Sequence, residues 1–277
     1  MIKSFAKINL FLNVLKKNKD GLHNIQSNTI LVKFFDKIKI TTINKKKDLI
    51  TFNGKFKKDI NNKDNSILSA LNLLRQKNLI NRNNKYKIIV DKKIPVFAGL
   101  GGGTSNAFFL LNYFLKGRFN EKLIQFFEKY IGSDFRLFFF KNSIQKSIKN
   151  VIKLNLKNKF FLVLVYPEIK CSTKFIYSKV KKYSKPLNFF NTSFKDNYFN
   201  NLKKQKNDLQ NIIINLHPKI KKLLIDLEIQ KKCIFSRMTG SGSTCFAIFK
   251  EKKFAKIAFL KLKKKYPKYH FILTETL

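Results

Sequence analysis

Glycine is scarce in this chain, and it is unevenly distributed. Only ten of the 277 residues are glycine, and four of these lie in residues 95–107, PVFAGLGGGTSNA. Apolar residues alternate at 86–90, which predicts a strand before this stretch. Apolar residues recur at a helical spacing over 107–114, which predicts an amphipathic helix after it. The glycines are therefore expected to join a strand to the start of a helix.

A glycine-rich passage from a strand into a helix start favours phosphate binding. Glycine lets the backbone approach an anion closely, and the unpaired N–H groups at a helix start favour negative charge. We expect Thr104 or Ser105 to cap this helix and Gly117 to follow its end. The spacing matches neither a Walker A loop nor a dinucleotide fingerprint. The alternative interpretation is a flexible glycine turn without a ligand.

Cysteine and histidine are also few. The three cysteines (Cys171, Cys233 and Cys245) form no CxxC pair, which argues against a disulfide framework or a zinc site and favours a cytoplasmic location. The three histidines show no metal-ligand spacing, so no metal-binding side chains are predicted. No uncharged apolar run reaches about 18 residues, and the N-terminal stretch lacks a signal peptide's apolar core. We therefore expect no membrane-spanning segment.

Acidic residues and arginine are rare, although the chain is strongly basic. The formal net charge is +42, yet only five of the 58 basic residues are arginine. Arginine is the residue that nucleic-acid sites favour for bidentate contacts, and the lysines are spread along the whole chain. An AT-rich coding sequence accounts for abundant Lys, Asn, Ile and Phe without any partner. Nucleic-acid binding is thus disfavoured, while a diffuse positive field would attract anionic substrates.

For two charged residues, Lys7 and Asp134, the sequence allows either a structural or a functional role. Residues 4–15 alternate as a strand, with Lys7 and Asn9 on the same face. This face could be solvated surface or could point into a site. Asp134 precedes the apolar run 135–140, where it could cap a helix or act as a general base.

The remaining pattern predicts a mixture of strands and helices. Separate strands are expected at 29–34 and 37–42, a short hairpin within 43–64, and helices at 121–131 and 252–265. A polar, lysine-rich segment at 141–159 predicts a boundary near residue 150. We expect an N-terminal domain of residues 1–150 and a C-terminal α+β sandwich of residues 151–277.

Six sequence elements, in chain order, resemble the GHMP kinase superfamily. They are AKINLFLNV with DGLH, DNSI, IPVFAGLGGGTSNA, GSDFRLFF, NDLQ and RMTGSGSTCFAIF. The AKIN, DGLH and NDLQ elements are most similar to the branch that phosphorylates the 2-hydroxyl of a cytidine diphosphate-linked methylerythritol. That reaction belongs to the non-mevalonate isoprenoid pathway. Another GHMP small-molecule kinase, or a basic RNA-binding protein on the same fold, is the alternative.

The resemblance implies a two-domain α+β fold with an active site in the interdomain cleft. The N-terminal domain would be ribosomal-protein-S5-domain-2-like and the C-terminal domain a ferredoxin-like sandwich. ATP and Mg²⁺ are the implied cofactors, and the partner is the small-molecule substrate. Monomer and homodimer both stay open.

The resemblance also implies roles for individual residues. Lys7 and Asp134 match the catalytic pair. Asn65, Ser66 and Lys92 match the adenine pocket. Asn9, His23 and Tyr177, with the turn Gly240, Ser241 and Gly242, match the substrate side. The ATP loop comprises Pro95, Val96, Phe97, Ala98, Gly99, Leu100, Gly101, Gly102, Gly103, Thr104 and Ser105.

Three departures from the family pattern bear on function. Leu22 stands where the family commonly has a tyrosine that stacks on cytosine, so Tyr177 could carry more of the stacking. Phe97-Ala98 replaces part of a usually glycine-richer loop. Phe135-Arg136 replaces Val-Pro after the aspartate, and Arg136 could reach a phosphate or face solvent.

Overall fold

The structure is a computed structural model that describes residues 1–19, 21–62, 64–155, 159–187 and 198–277. Asp20 of the DGLH element lies outside the described residues. The chain forms two compact units. The first unit comprises Met1–Lys7, Phe34–Val96 and Gly101–Phe139, and the second comprises Ile8–Lys33, Phe97–Leu100 and Phe140–Leu277. Because these units interleave along the chain, the domain limits 1–150 and 151–277 stay a prediction.

The described residues form ten strands and eight α-helices, with short 3₁₀ helices at Lys57–Asp59 and Phe135–Phe139. The strands are β1 (Ile2–Lys17), β2 (His23–Ile43), β3 (Leu49–Asn53), β4 (Lys85–Asp91), β5 (Asn142–Gln145), β6 (Val151–Lys153), β7 (Phe161–Tyr166), β8 (Phe235–Met238), β9 (Cys245–Phe249) and β10 (His270–Glu275). The helices are α1 (Ser66–Gln76), α2 (Gly102–Leu115), α3 (Glu121–Ile131), α4 (Thr173–Ser178), α5 (Tyr198–Lys204), α6 (Gln210–Leu216), α7 (Lys219–Glu228) and α8 (Lys252–Lys265).

In the first unit, the C-terminal half of β2 pairs antiparallel with β4, and β3 pairs parallel with β4. Helices α1 and α2 pack against each other. Phe108 of α2 contacts the rings of Phe135 and Phe139 at centroid distances of 5.3 and 4.8 Å. Aromatic edge-to-face contacts of this kind add to the stability from apolar burial. The 3₁₀ helix Phe135–Phe139 is thereby fixed against the side of α2.

A buried ion pair ties β2, β4 and α2 together in the first unit. Asp36 and Lys92 are fully enclosed, at 0% and 1% exposure. The Asp36 carboxylate accepts hydrogen bonds from the Lys92 ammonium and from the Lys93 and Ile94 amides, the latter two at 2.7 and 2.8 Å. It also accepts a hydrogen bond from the Asn106 amide at 3.0 Å. Burial lowers the pKa of Lys92, and the Asp36 charge opposes that shift.

The second unit contains a four-stranded antiparallel sheet in the order β10-β7-β9-β8. Strand β7 is buried over most of its length, and helices α7 and α8 pack on the sheet. The N-terminal half of β2 continues this unit by pairing with β5, which pairs with β6. Apolar residues of β7, β9, α7 and α8 share one hydrophobic core. This arrangement confirms the expected mixed α+β class.

Several elements follow the sequence pattern, and others depart from it. The helices predicted at 121–131 and 252–265 are confirmed at both ends. The prediction of two strands at 29–34 and 37–42 is wrong, because β2 runs without a break through both. The hairpin predicted within 43–64 is also wrong, because β3 pairs with the distant β4. Pairing partners of this kind are set by tertiary contacts, which local patterns do not encode.

We predict that replacing Asp36 with Ala destabilises the protein by about 3–5 kcal/mol, because it leaves the Lys92 ammonium buried without its countercharge. Urea unfolding of the two proteins measures this loss. Asp91→Ala is the matched control, since Asp91 pairs with Lys93 at 3.8 Å on the surface. An exposed pair of this kind contributes about 0–1 kcal/mol. Equal losses in the two variants would contradict the structural role of Asp36.

Candidate active site

The helix that follows the glycine stretch begins earlier than its sequence predicts. Gly101 is the N-cap of α2, with a left-handed φ of 68°, and Gly102 is the first helical residue. Thr104 and Ser105 are therefore inside the helix, and the expectation that either caps it is wrong. No side chain of the described residues caps this start. Because its first N–H groups lack an intrahelical partner, the start of α2 is suited to an anion.

At its far end, α2 stops at Leu115, and both residues that follow it have a left-handed backbone. Lys116 is the C-cap with a φ of 51°, and Gly117 has a φ of 77°. The expectation that Gly117 follows the helix end is confirmed.

A hydrogen-bonded chain of polar side chains supports the start of α2. The Asn106 amide donates to Ser4 Oγ at 2.8 Å, and Ser4 and Ser105 hydroxyls bond at 2.7 Å. The Ser105 hydroxyl in turn donates to the Phe5 carbonyl at 2.6 Å. The Ser4 and Ser105 hydroxyls thus each accept one hydrogen bond and donate another, so the hydrogen bonds run in one direction from Asn106 to the Phe5 carbonyl. It fixes the first turn of α2 to β1.

Gly101 and Gly102 leave no room for a side chain. A Cβ on Gly101 would lie 3.0 Å from Lys7 Cγ, and one on Gly102 would lie 3.0 Å from Lys92 Nζ. The backbone of the loop is therefore in direct contact with two buried lysines. Lys92 supports it from inside the first unit, since its ammonium is held by Asp36 and Asn106. Its predicted contact with adenine stays a prediction.

Lys7 and Asp134 form an ion pair in the first unit. Lys7 Nζ lies 3.2 Å from Asp134 Oδ2, and the two side chains are 5% and 30% exposed. Asp134 is held between Gly132, whose φ is 137°, and the 3₁₀ helix Phe135–Phe139. Its carbonyl accepts a hydrogen bond from the Leu137 amide. A largely buried cation thus lies beside a carboxylate that solvent and ligands can reach.

The predicted adenine residues Asn65 and Ser66 lie at the start of α1. The Asn65 side chain caps this helix by accepting from the Leu68 amide at 3.0 Å. Ser66 is close to the glycine loop, because a Cβ on Gly103 would lie 3.8 Å from Ser66 Oγ. The starts of α1 and α2 therefore meet in the first unit.

The expectation that Arg136 faces solvent is wrong, because its side chain is largely buried and pairs with two acidic residues. Its guanidinium lies 2.5 Å from Glu121 and 2.7 Å from Glu128, both on α3. The hydrogen bond from Arg136 lowers the pKa of the Glu121 carboxyl to about 2. Arg136 thus anchors the segment that carries Asp134 to α3.

In the second unit, the first half of the glycine loop packs on the second glycine turn. A Cβ on Gly99 would lie 2.2 Å from the Thr239 carbonyl oxygen. Phe97, which departs from the family pattern, has a left-handed φ of 55° and is half exposed. Its carbonyl accepts a hydrogen bond from the Cys171 amide at 2.9 Å. Since a left-handed φ is costly for a bulky residue, this contact offsets local strain.

Thr239 is a site residue that the sequence interpretation missed. Its hydroxyl accepts a hydrogen bond from the backbone N–H of Asn9 at 2.9 Å and donates one to the Gly99 carbonyl at 3.4 Å. The Asn9 side chain donates to Ser27 and Thr29 of β2 at 2.8 and 3.2 Å. The available clue was a hydroxyl residue directly before the turn Gly240-Ser241-Gly242.

The NDLQ element holds the second glycine turn in place. The Asn207 amide donates to the Met238 and Gly240 carbonyls, both at 2.8 Å. The Ser241 and Thr173 hydroxyls share a hydrogen bond of 3.0 Å, which ties the turn to α4. A Cβ on Gly242 would lie 2.6 Å from Met238 Sδ, so this turn also excludes side chains.

His23 and Tyr177, both predicted to bind the substrate, are neighbours in the second unit. Their ring centroids lie 5.2 Å apart at an interplanar angle of 36°. Partial burial, and to a lesser extent the nearby Lys17 charge, lowers the pKa of His23 below 6.5. The imidazole is therefore neutral near pH 7, and its two nitrogens supply one donor and one acceptor. Leu22 beside it is half exposed.

Among the described residues, no three His, Cys, Asp or Glu side chains gather in a way that could hold a metal ion. Nowhere in the described part of the chain is there a helix long and apolar enough to cross a membrane.

Comparison with known proteins decides the family. The chain is 39% identical to the 4-diphosphocytidyl-2-C-methyl-D-erythritol kinase of Pelagibacter ubique (strain HTCC1062), over 100% of this chain and 98% of that protein. This chain belongs to the 4-diphosphocytidyl-2-C-methyl-D-erythritol kinase family. A kinase of the same name from Buchnera aphidicola subsp. Schizaphis graminum (strain Sg) is 36% identical over 90% of this chain and 85% of its own length.

Domain and structure comparisons agree with membership in this kinase family. Residues 193–268 match the model of the GHMP kinases C terminal domain. A crystal structure of 4-(cytidine 5'-diphospho)-2C-methyl-D-erythritol kinase superposes with a TM-score of 0.77 at 20% identity, covering 99% of this chain and 98% of that one. Homoserine kinase from Cytophaga hutchinsonii gives 0.64 at 16% identity, covering 100% and 96%. These likenesses confirm the two-domain GHMP kinase fold, and the 39% identity to the Pelagibacter ubique protein confirms a small-molecule kinase.

Within this kinase family, we predict that Gly101→Ala impairs turnover by displacing Lys7. The added Cβ would lie 3.0 Å from Lys7 Cγ, so the lysine side chain has to shift from its position beside Asp134. We expect kcat to fall by about tenfold or more, because small misplacements of catalytic groups have large effects. Steady-state kinetics measure the loss.

Gly117→Ala is the control for backbone strain. Gly117 has a φ of 77°, and an added Cβ there would meet nothing within 4 Å, whereas Gly101 has a φ of 68° and direct neighbours. Both substitutions cost about 1–2 kcal/mol of stability because Ala disfavours a left-handed backbone. Only Gly101→Ala should lose kcat, and equal kcat losses would assign the effect to strain alone.

Proposed function

We propose that this protein transfers the γ-phosphoryl group of ATP to the 2-hydroxyl of 4-diphosphocytidyl-2-C-methyl-D-erythritol. The observation that carries the proposal is the Lys7–Asp134 ion pair, whose lysine packs against Gly101. Gly101 is the N-cap residue of α2, and no side chain of the described residues caps that helix start. A cation, an accessible carboxylate and unpaired backbone amides are the groups that phosphoryl transfer uses. Identity of 39% to a kinase of that name over the full chain supports the substrate.

The chain's own residues supply positioning and charge stabilisation. The amides at the start of α2 bind the phosphates of ATP, with the helix dipole favouring their negative charge. Asp134 orients the 2-hydroxyl and accepts its proton as the new O–P bond forms and the bond to the ADP oxygen breaks. Lys7 keeps a positive charge beside Asp134 and offsets the negative charge that develops on the hydroxyl oxygen.

The proposed cofactor Mg²⁺ fits this donor set. Magnesium bound with a nucleotide needs only one or two protein carboxylates and takes its other ligands from phosphates and water. The phosphates at the start of α2 and water would supply most of its ligands, which leaves Asp134, 30% exposed, to accept the hydroxyl proton. When bound, Mg²⁺ neutralises phosphate charge and so lowers the cost of the transition state.

On the substrate side, His23 and Tyr177 are proposed to recognise the cytosine. A neutral imidazole can donate to one atom of the base edge and accept from another, and the Tyr177 ring offers a stacking surface. That Lys7 and Asp134 act in the same reaction as His23 and Tyr177 stays a prediction from the family resemblance.

The cytoplasm is the proposed location. Burial raises the pKa of the Cys171 thiol to about 11 and that of Cys233 to about 12, so both are protonated and poorly reactive. Cys171, Cys233 and Cys245, all within the described residues, form no disulfide, which fits a reducing compartment. The RNA-binding alternative is less favoured than the kinase, because the lysine excess needs no partner and the chain has few arginines.

We predict that ADP release requires the diphosphocytidyl substrate as well as ATP and Mg²⁺. A coupled assay with this substrate, homoserine and mevalonate should give turnover with the first alone, because only it offers a cytosine to the second unit. Activity with homoserine or mevalonate in its place would contradict the proposal. Tight RNA binding with a steep salt dependence, and no ADP release from any substrate, would favour the alternative.

We predict that Lys7→Ala and Asp134→Asn each lower kcat by about 10²–10⁴-fold, because each removes a group that acts on the transferred proton or charge. Lys3→Ala is the control, since Lys3 lies on the same strand and is exposed to solvent. Thermal unfolding checks that each variant folds. Near-wild-type kcat in either site variant would remove the assigned role.

A further inference from the structure

A second tyrosine ring lies beside His23 in the second unit. The Tyr183 ring centroid is 6.4 Å from that of His23, at an interplanar angle of 35°. Tyr177 lies against the same imidazole at 36°, so the two tyrosines are tilted to it by nearly equal angles. Tyr183 is 47% exposed. Its accessible area is therefore open to a flat ligand.

The segment that carries Tyr183 has no regular secondary structure, yet it is fixed on both sides. The Ser184 amide donates to the Val14 carbonyl at 2.8 Å, and the Ser184 hydroxyl donates to Asp208 at 2.8 Å. Further on, the Leu187 amide and carbonyl bond the Gln26 side chain at 2.7 and 3.2 Å. Since Gln26 follows His23 on β2 by three residues, these contacts position Tyr183 next to His23.

The residue that precedes His23 offers no ring. Leu22 is 50% exposed and aliphatic, so it cannot stack on a nucleobase. Lys179, Lys181, Lys182 and Lys185 flank the tyrosines in the sequence and are all exposed. An exposed ring surface on such a basic segment suits a nucleoside diphosphate, whose base stacks and whose phosphates are attracted by positive charge.

We propose that Tyr183 is a specificity-determining residue that stacks on the cytosine of the substrate and supplies the aromatic contact that Leu22 does not. This inference rests on the proposed function, because it assigns a residue to that function's substrate. His23 binds the edge of the base, and the tyrosines bind its faces. Tyr183 thus contributes to substrate affinity and has no part in phosphoryl transfer.

Steady-state kinetics of Tyr183→Ala and Tyr183→Phe test the assignment. We expect Tyr183→Ala to raise the KM for the diphosphocytidyl substrate by about tenfold, since base stacking is worth roughly that much or more. The kcat and the KM for ATP should stay within about twofold, because binding affinity alone is lost. Tyr183→Phe keeps the ring and should behave like the wild type. A structural role would instead change kcat and thermal stability together.

Phe175→Ala is the matched control. Phe175 is also 47% exposed and in the second unit, but its ring contacts Lys179. It should leave the KM unchanged. An unchanged KM in Tyr183→Ala, or an equal increase in Phe175→Ala, would overturn the proposal.

Calorimetric titration with cytidine 5'-diphosphate separates this inference from the proposed function. The wild type should bind this probe about tenfold more tightly than Tyr183→Ala, whether or not the full substrate is turned over. If the wild type turns the substrate over and both proteins bind the probe equally, only the role of Tyr183 fails. If the probe binds to neither protein, the base-stacking assignment also fails. If no turnover occurs but the expected difference in probe affinity is seen, the proposed reaction fails and Tyr183 keeps its role.

Discussion

The first unit is organised around one buried carboxylate, that of Asp36. Its two oxygens accept from the Lys92 ammonium, the Asn106 amide and the backbone of Lys93 and Ile94. These donors belong to two separate parts of the chain, so the single side chain of Asp36 on β2 fixes the end of β4 and the N-terminal part of α2. A buried charge is tolerated only when its hydrogen bonds are complete, and here they are complete on both oxygens. The position of the helix start, and hence of the anion-binding amides, follows from this constraint.

Most of the elements could be predicted from the sequence because their patterns are local. Helix α3 has a strong apolar face and an asparagine that caps it, and both are visible in the sequence. The start of α2 could not be placed, because Thr104 and Ser105 are ordinary capping residues and the preference of Gly101 for a left-handed cap depends on the space around it. The pairing of β3 with β4 was equally hidden, since it joins residues far apart in the chain.

For the site, the sequence identified residue types, and the structure added their partners. Lys7 and Asp134 were predicted from motif resemblance, and the structure shows them as an ion pair. Thr239, Tyr183 and the partners of Arg136 on α3 were missed, because each acts through a contact with a distant residue. Lys92 looked like a ligand-binding lysine, and only its burial shows that its ammonium is enclosed by protein groups. Burial of a charged group is a property of the fold and leaves no mark in the local sequence.

The space around each glycine also bears on how this chain can change over evolutionary time. Pressure toward AT-rich codons removes glycine, whose codons begin with two guanines. At Gly21 and Gly117 nothing lies within 4 Å, so asparagine, which tolerates a left-handed backbone, is an acceptable replacement. At Gly99 a Cβ would lie 2.2 Å from a backbone oxygen, and at Gly242 it would lie 2.6 Å from Met238 Sδ, so a replacement at either position forces a neighbour to move. Gly99 and Gly242 are therefore the glycines at which sterics oppose a drift toward AT-rich codons.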